Sequence, residues 1–585
     1  MDWFNIVECL KETILSIASN IGEFQGFKDP EIRVAESQFG DLQANGVISF
    51  AKRAGMKPKM LAEKLVDAFI RNDHQRYFSP EVSGPGFINF RMTSNFFIYW
   101  MSQNSDANKI QATAANLFKG KKIVIDYSSP NTAKQMHVGH LRSMIIGESI
   151  QRMLKFCGAD VVRDNHIGDW GTQFGILLAE IKTRKINLAD LPMEEVLDLL
   201  EELYKNGSEK AKNDISFLEN ARNELVKLQN GDRGNLSIWE QINHVSYKAF
   251  NDIYQEMNVE FDYVLGESFY RDKVDRVCGE LEESGIAEQN NGALVVFHKG
   301  HGQFEKQPFI IRKSDGASNY ATTDLATALY RSETFDVDEL IYVTDGRQKD
   351  HFEQLFMTIS KWFKHFDKKV PELRHVWFGT MLGENGKAIK TRSGESIKLK
   401  QLLDEAKFRA YAIVSEKNPD LSEEEKREVA RVVGLGAVKY ADLSQNRTHD
   451  YAFSWDKMLS FDGNTAPYLL YALARVYALF RKIKNKTVLN ESVMTPLTTK
   501  EEHFLCRKIV MFPVMLSQAI NDLRPHLLCN YLYELAGEFS TFYNLNRIIN
   551  EDSEVFGRRM LICSRVLDIL KIGLELLGLE TLEKM

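Results

Sequence analysis

Cysteine is scarce in this chain and never falls at metal or redox spacing: Cys9, Cys157, Cys278, Cys506, Cys529 and Cys563 include no C-x-x-C pair. This excludes a disulfide framework and a zinc ribbon, and it predicts reduced thiols in a cytoplasmic protein. Long apolar runs are missing too. Nothing approaches the roughly 18 residues of a membrane span, and the opening MDWFNIVECLKETILSIASN sets acids among its apolar positions, so neither a signal peptide nor a membrane anchor is expected. Positive charge is not in excess, with 74 Lys and Arg against 81 Asp and Glu. The net charge of −7 therefore does not announce a nucleic-acid binder, although an acidic protein can carry a local basic track. A G-x-S-x-G elbow, a P-loop and an H-E-x-x-H helix are all absent, which removes three common hydrolase and phosphotransferase chemistries.

What is present is concentrated between Lys121 and Leu141, KKIVIDYSSPNTAKQMHVGHL. Ile123 to Ile125 form a β-branched run of the kind buried in parallel sheets, Pro130 and Asn131 punctuate it, and helical periodicity starts after His140. His137 and His140 stand three apart at a helix start. There they can aim imidazole donors at an anion that a helix N-terminus already favours. Gly139 between them leaves room for a flat ring against the backbone. Taken alone, HVGH is equally well a capped helix with two surface histidines.

Longer motifs decide between these readings. SSPNTAKQMHVGHLRS, DNHIGDWGTQFG from Asp164, RKSDGASNYATTDLA from Arg312, VTDGRQKDHFEQLF from Val343 and NTAPYLLYALAR ending at Arg475 together resemble the class I aminoacyl-tRNA synthetases and, within them, the arginyl family. The resemblance covers nearly the whole chain. It implies an α/β fold: a Rossmann-like, doubly wound catalytic domain at 116–400, interrupted by a mainly helical insertion at about 183–300. An N-terminal α+β domain at 1–115 would contact the tRNA elbow, and an all-helical anticodon-binding bundle would occupy 401–585.

Residue patterns agree with that organisation. In GPGFINFRM, Ile88, Phe90 and Met92 alternate with Asn89 and Arg91 as in a half-buried strand. After Leu421 the apolar period is helical throughout. The segment between the two halves of the sheet is charged and helical, its charges reading as solvated faces.

The resemblance also implies roles. Activation of an amino acid is an in-line attack of its carboxylate on the α-phosphate of ATP, so the protein mainly positions reactants and offsets phosphate charge. His137, Gly139 and His140 would meet ATP, with Asp345, Gly346 and His351 near the adenosine ribose. The second class motif is degenerate, KAIKTRSGES at Lys387 to Ser396. Lys134 would therefore take over from its missing lysine beside His137 and His140 as catalytic groups, and Lys390 and Arg392 would assist. Asn131 and His137 would hold the backbone end of arginine. A guanidinium has five donors and a fixed charge, and Asp126, Tyr320, Asp324 and Gln348 would surround it; Tyr320 and Asp324, four apart, share a helical face. Tyr468, Tyr471, Arg475 and Met585 would lie near anticodon bases, although aromatic residues at helical spacing are commonly core.

The expected activity is thus transfer of L-arginine, activated with ATP and Mg2+, to the tRNA for arginine by a cytoplasmic monomer with no tightly bound protein metal. A small-molecule nucleotidyl transferase sharing the H-x-G-H sheet leaves the helical C-terminal third unexplained. A noncatalytic tRNA-binding relative has no need of the complete set of His137, His140, Lys134, Asp126 and Asp324.

Overall fold

The computed structural model describes residues 3–36, 38–314, 316–317, 319–383, 386–387, 397–483, 494–549 and 551–585, and the chain forms two compact units. Lys390 and Arg392 lie outside the described residues.

One unit joins residues 1–117 to 459–585. Its N-terminal part is a four-stranded antiparallel sheet of β1 (Ile32–Val34), β2 (Leu42–Ala44), β3 (Phe78–Ser83) and β4 (Phe87–Met92), in the order β1-β2-β4-β3. Ile88, Phe90 and Met92 are buried, and so is Asn89, whose carbonyl accepts from Gln43. The C-terminal part is a bundle of the helices Ala466–Lys482, Lys500–Val510, Phe512–Asn521, Pro525–Leu545 and Ser553–Leu576. HFLCRKIVMFPVML is two helices, because Pro513 cannot continue the first and instead opens the second. The two parts are bonded through a buried and a half-buried arginine. Arg565 donates to the Asn104 carbonyl at 3.0 Å, and Arg507 pairs with Asp41 at 2.9 Å.

The other unit, Phe118–Met458, is built on a parallel sheet of β5 (Lys122–Asp126), β6 (Asp160–Asp164), β10 (Glu339–Tyr342) and β11 (Glu372–His375), ordered β11-β10-β5-β6. Helix Val138–Phe156 connects β5 to β6, and Lys349–His365 connects β10 to β11. This is a doubly wound arrangement whose switch point lies where β5 meets β10. The helices Leu399–Lys417 and Glu423–Leu443 pack on each other within this unit. Arg142 of the first crossover helix pairs with the buried Asp442 at 3.0 Å. The helical region expected to start at 401 is therefore divided, and the bundle of the other unit begins at Leu459.

The insertion is helical from Met193 to Glu256, but it ends in β7 (Glu288–Asn290) and β8 (Ala293–Val296), which pair antiparallel with each other, β8 pairing in turn with β9 (Phe309–Arg312). Val277, Leu281, Leu294 and Val296 join Val124, Leu340 and Trp362 in one core. The latter half of the insertion is thus part of this unit's core. Its apolar faces need the sheet's helices for cover.

The carboxyl ends of the four strands form a row in register, His375, Tyr342, Asp126 and Asp164. Neighbouring buried carboxylates repel. Here Arg331, 1% exposed, lies between them, donating to Asp126 at 2.7 Å and to Asp164 at 2.9 and 3.0 Å, with its guanidinium 5.4 Å from the Tyr342 ring centre. Both acids raise the Arg331 pKa against the opposing effect of burial. Replacing Arg331 with Met should destabilise the fold by about 3–5 kcal/mol, since it strands two buried acids; a shift of the urea midpoint measures this, and an unchanged midpoint would show that the acids are otherwise compensated.

Candidate active site

β5 leads into a turn held in unusual backbone geometry. Ser128, Ser129 and Ala133 all have positive φ, at 74°, 46° and 62°, conformations that cost of order 1–3 kcal/mol each outside glycine. Each is held by bonds from elsewhere. The Ser128 N–H donates to Ser143 Oγ at 2.9 Å, and the Ser128 hydroxyl bonds Tyr254 at 2.8 Å. The Ser129 N–H donates to Asn165 Oδ1 at 3.0 Å and its hydroxyl to Asp126 at 3.0 Å, while the Ala133 N–H donates to Ser246 Oγ at 2.9 Å. Tyr254 and Ser246 belong to helix Arg233–Glu256. A helix of the insertion therefore fixes the turn.

The GDWG element explains itself against the same turn. The Gly168 N–H donates to Pro130 O at 3.1 Å, and Thr132 N–H to Gly168 O at 3.1 Å. A Cβ on Gly168 would fall 1.9 Å from Asn131 Oδ1, so glycine is what lets the Asn131 side chain lie there. Asp169 is buried and accepts from Tyr247 at 3.1 Å and from Ser268 at 2.6 and 2.8 Å. Trp170 packs edge-on to Trp239 with Arg271 over its ring.

His137 and His140 cap their helix reciprocally. His137 is the N-cap residue, and its Nδ1 accepts from the Gly139 N–H at 3.0 Å, while His140 Nδ1 accepts from the His137 N–H at 3.1 Å. With both Nδ1 atoms accepting, the proton of each neutral ring sits on Nε2, the atom left to donate. Burial, followed by the charge of Lys134, lowers the His137 pKa, and burial together with His137 brings His140 down to about 3. Both rings are neutral donors at pH 7. At Gly139 a Cβ would meet His137 Cε1 at 2.7 Å, so the missing side chain also seats the capping ring. The segment following the degenerate second motif returns to the same place. Val138 N–H donates to Ile397 O at 3.1 Å and Leu399 N–H to Met136 O at 2.8 Å.

A second group of side chains gathers around helix Tyr320–Phe335. His351 Nε2 lies 2.6 Å from Asp324 Oδ2, and the Tyr320 ring, on a 65% exposed residue, is 4.9 Å from the His351 ring. His351, expected beside the ribose, is thus placed with Asp324 and Tyr320. Glu267, half-buried and marked by no pattern in the sequence, feels the charge of Asp324. Burial raises its carboxyl pKa to about 7, with further raising by the charges of Asp324 and Asp169. A lone acid in VLGESFY carries no periodic or spacing signal, which is why it passed unnoticed. Asp126, expected at the guanidinium, is 6% exposed and already bonded to Arg331 and Ser129; the internal arginine takes the position foreseen for a ligand. Gln348 is exposed just before helix Lys349–His365.

At the switch point, Asp345 accepts from Arg347 N–H and Nε, both at 2.8 Å. Burial opposes this, but the Arg347 bonds hold its carboxyl below the usual range. The Gly346 N–H donates to Phe378 O at 2.9 Å, and a Cβ there would crowd that carbonyl at 3.1 Å. Lys134 places its ammonium 4.6 Å from the Tyr204 ring centre. In the other unit Tyr471 is 52% exposed, whereas Tyr468 is half-buried against Tyr533 at 5.4 Å, and Arg475 lies 4.5 Å over the Tyr543 ring and bonds Asn544. Met585 is half-buried. Tyr543 and the 68% exposed Leu545 extend this surface beyond the residues the sequence singled out.

Comparison with known proteins matches the whole length. Residues 103–455 match the family model described as tRNA synthetases class I (R), catalytic domain; 469–585 match the DALR anticodon binding domain, and 5–92 the arginyl tRNA synthetase N terminal domain. The chain is 41% identical over 575 residues to the arginine–tRNA ligase of Laribacter hongkongensis, covering 97% of each, and 42% identical over 557 residues to that of Chromobacterium violaceum, covering 94% and 95%. The solved arginyl-tRNA synthetase of Plasmodium falciparum superposes with a TM-score of 0.82 at 28% identity, over 99% of both chains.

The tautomers give a direct test. In histidine-labelled protein the His140 ring signals should stay fixed as the pH falls from about 8 to about 5, through the ordinary histidine range near 6.5, with the proton on Nε2; a titration in that window would show that the cap does not keep the ring neutral.

Proposed function

Since the chain belongs to the arginyl-tRNA synthetases of class I, and so activates L-arginine with ATP and transfers it to tRNA, we propose how its residues divide that work. The observation that carries the reading is the reciprocal histidine cap, which leaves two neutral Nε2–H donors side by side, ring centres 4.0 Å apart, at the end of the strand whose turn carries Asn131. Neutral donors strengthen their bonds as negative charge gathers on the transferring phosphate, and they need no proton exchange to do so. Lys134 supplies the positive charge for the triphosphate that the degenerate second motif does not secure, with Lys390 and Arg392 assisting. Asp345 and Gly346 border the ribose. Among the described residues no three metal-ligating side chains gather into a site. Mg2+ would arrive on the triphosphate, held chiefly by phosphate oxygens, as is usual for this small, reluctantly dehydrated ion.

Asn131 and His137 hold the backbone end of arginine, and Asp324, Tyr320, Gln348 and Glu267 receive its guanidinium. Asp126 acts one step back by fixing Arg331 and the turn. Transfer to the terminal adenosine of the tRNA for arginine depends on the other unit, where Tyr468, Tyr471, Arg475 and Met585 meet the anticodon and the N-terminal sheet meets the tRNA elbow. The six free, buried cysteines support a cytoplasmic enzyme, here taken to act as a monomer.

The acid pair makes arginine binding pH-dependent, and the sign follows from Glu267. A cation binds the carboxylate and not the acid, so below the raised pKa of about 7 binding must first expel a proton. The Kd for arginine, measured by calorimetry, should rise up to tenfold per pH unit as the pH falls below about 7, and Glu267→Gln should bind weakly and with a flat profile; a wild-type profile flat from pH 8 to 6 would remove Glu267 from the pocket.

Activation should require tRNA. The second motif is weak, and its productive position depends on closure of the site by the larger substrate. Exchange of labelled pyrophosphate into ATP with arginine should stay near background without tRNA and rise by orders of magnitude with it, and Lys134→Ala should abolish exchange at saturating tRNA. Strong exchange without tRNA, or a fully active Lys134→Ala, would return the phosphate-binding role to Lys390 or Arg392.

A further inference from the structure

The insertion's first helix, Met193–Asn213, turns one face to the catalytic turn. Asp198, Glu201 and Tyr204 recur at three-residue spacing on that face. Glu201 Oε1 accepts from the Gln135 N–H at 2.6 Å, two residues before His137. Asp198 accepts from the Gln135 side chain and pairs with Lys398, just beyond the second motif. Tyr204 presents its ring to the Lys134 ammonium at 4.6 Å. One helix face therefore holds the approach to both signature motifs. Val196, Leu200 and Leu203 of the same helix are buried in a core with Ala133, Phe174 and Leu178, which anchors the helix beside the turn.

The choice of partner at each point is informative. Gln135 and Lys398 receive carboxylates, which bind firmly. Lys134 receives an aromatic face and pairs with no carboxylate among the described residues. A carboxylate at that position would neutralise the ammonium and repel a triphosphate, whereas a ring quadrupole orients a cation while leaving its charge available to a polyanion. Lys134 keeps that charge close enough to the histidine pair to lower the pKa of both rings.

We propose that Tyr204 is a positioning residue for adenylate formation: its ring holds the Lys134 ammonium at the edge of the histidine site in an orientation from which it engages the triphosphate of ATP. The proposal rests on the role given above to Lys134. The test uses the full-length enzyme with saturating tRNA and measures the KM for ATP and for arginine by pyrophosphate exchange in Tyr204→Phe, Tyr204→Leu and Tyr204→Glu. Phe keeps the ring and should match the wild type. Leu should raise the KM for ATP between about twofold and thirtyfold, the range an ammonium–ring contact is worth, with the KM for arginine unchanged, and Glu should raise it further. In a Lys134→Met background, where exchange is expected to be lost, ATP binding measured by calorimetry should be no weaker when Tyr204→Leu is added. A Leu variant that matches Phe, or one that raises both KM values together, overturns the proposal, as does a Tyr204 effect that persists without Lys134. If Lys134→Met alone leaves both exchange and ATP binding at wild-type levels, it is the role of Lys134 that fails. Should Tyr204→Leu not fold, Tyr204→Gln carries the same comparison with Phe.

Discussion

A single buried guanidinium organises the catalytic unit. β5 and β6 end on Asp126 and Asp164 in direct register, and two carboxylates side by side in a low-dielectric interior would drive the strands apart or force one acid to stay protonated. Arg331 removes that conflict by binding both. Because Asp126 is also the acceptor for the Ser129 hydroxyl, the charge balance at the strand ends passes directly into the geometry of the turn. The residues that follow the turn, from Asn131 to His140, inherit their placement from it.

The insertion shares in that placement. Its third helix supplies Tyr254 and Ser246 to positive-φ residues of the turn and Tyr247 to Asp169, while its first helix reaches Gln135 and Lys134. Strained backbone persists only where the surroundings overdetermine it. Here those surroundings come from a segment that, in sequence, shows only charge and helical period. The histidine motif takes a structural task in the same way: its two rings are the cap of their own helix, so their tautomer and neutrality are set by the protein alone.

Much of this was determined by sequence alone. The β-branched run at Ile123, the Pro-Asn break and the onset of helical period after His140 fix a strand, a turn and a helix start through local propensity, and five separated motifs identify the family without any coordinates. Lys134, His137 and His140 lie within seven residues, so chain continuity brings them together whatever the rest of the fold does. Tyr320 and Asp324 share a face because four residues make one helical turn.

Tertiary structure decided whatever depends on partners distant in sequence. Asp126 reads as an acid at the mouth of a pocket, and only packing shows that Arg331, 205 residues away, already occupies it. Glu267 has no pattern around it and becomes a candidate ligand only because the fold half-buries it within the electrostatic reach of Asp324. His351 is brought beside Asp324 and Tyr320 for the same reason. The helices at Leu399–Leu443 have the same apolar period as those after Leu459, and periodicity records that a face is buried without saying against what. Long-range contacts assign the first pair to the catalytic unit and the rest to the unit formed with the N-terminal sheet.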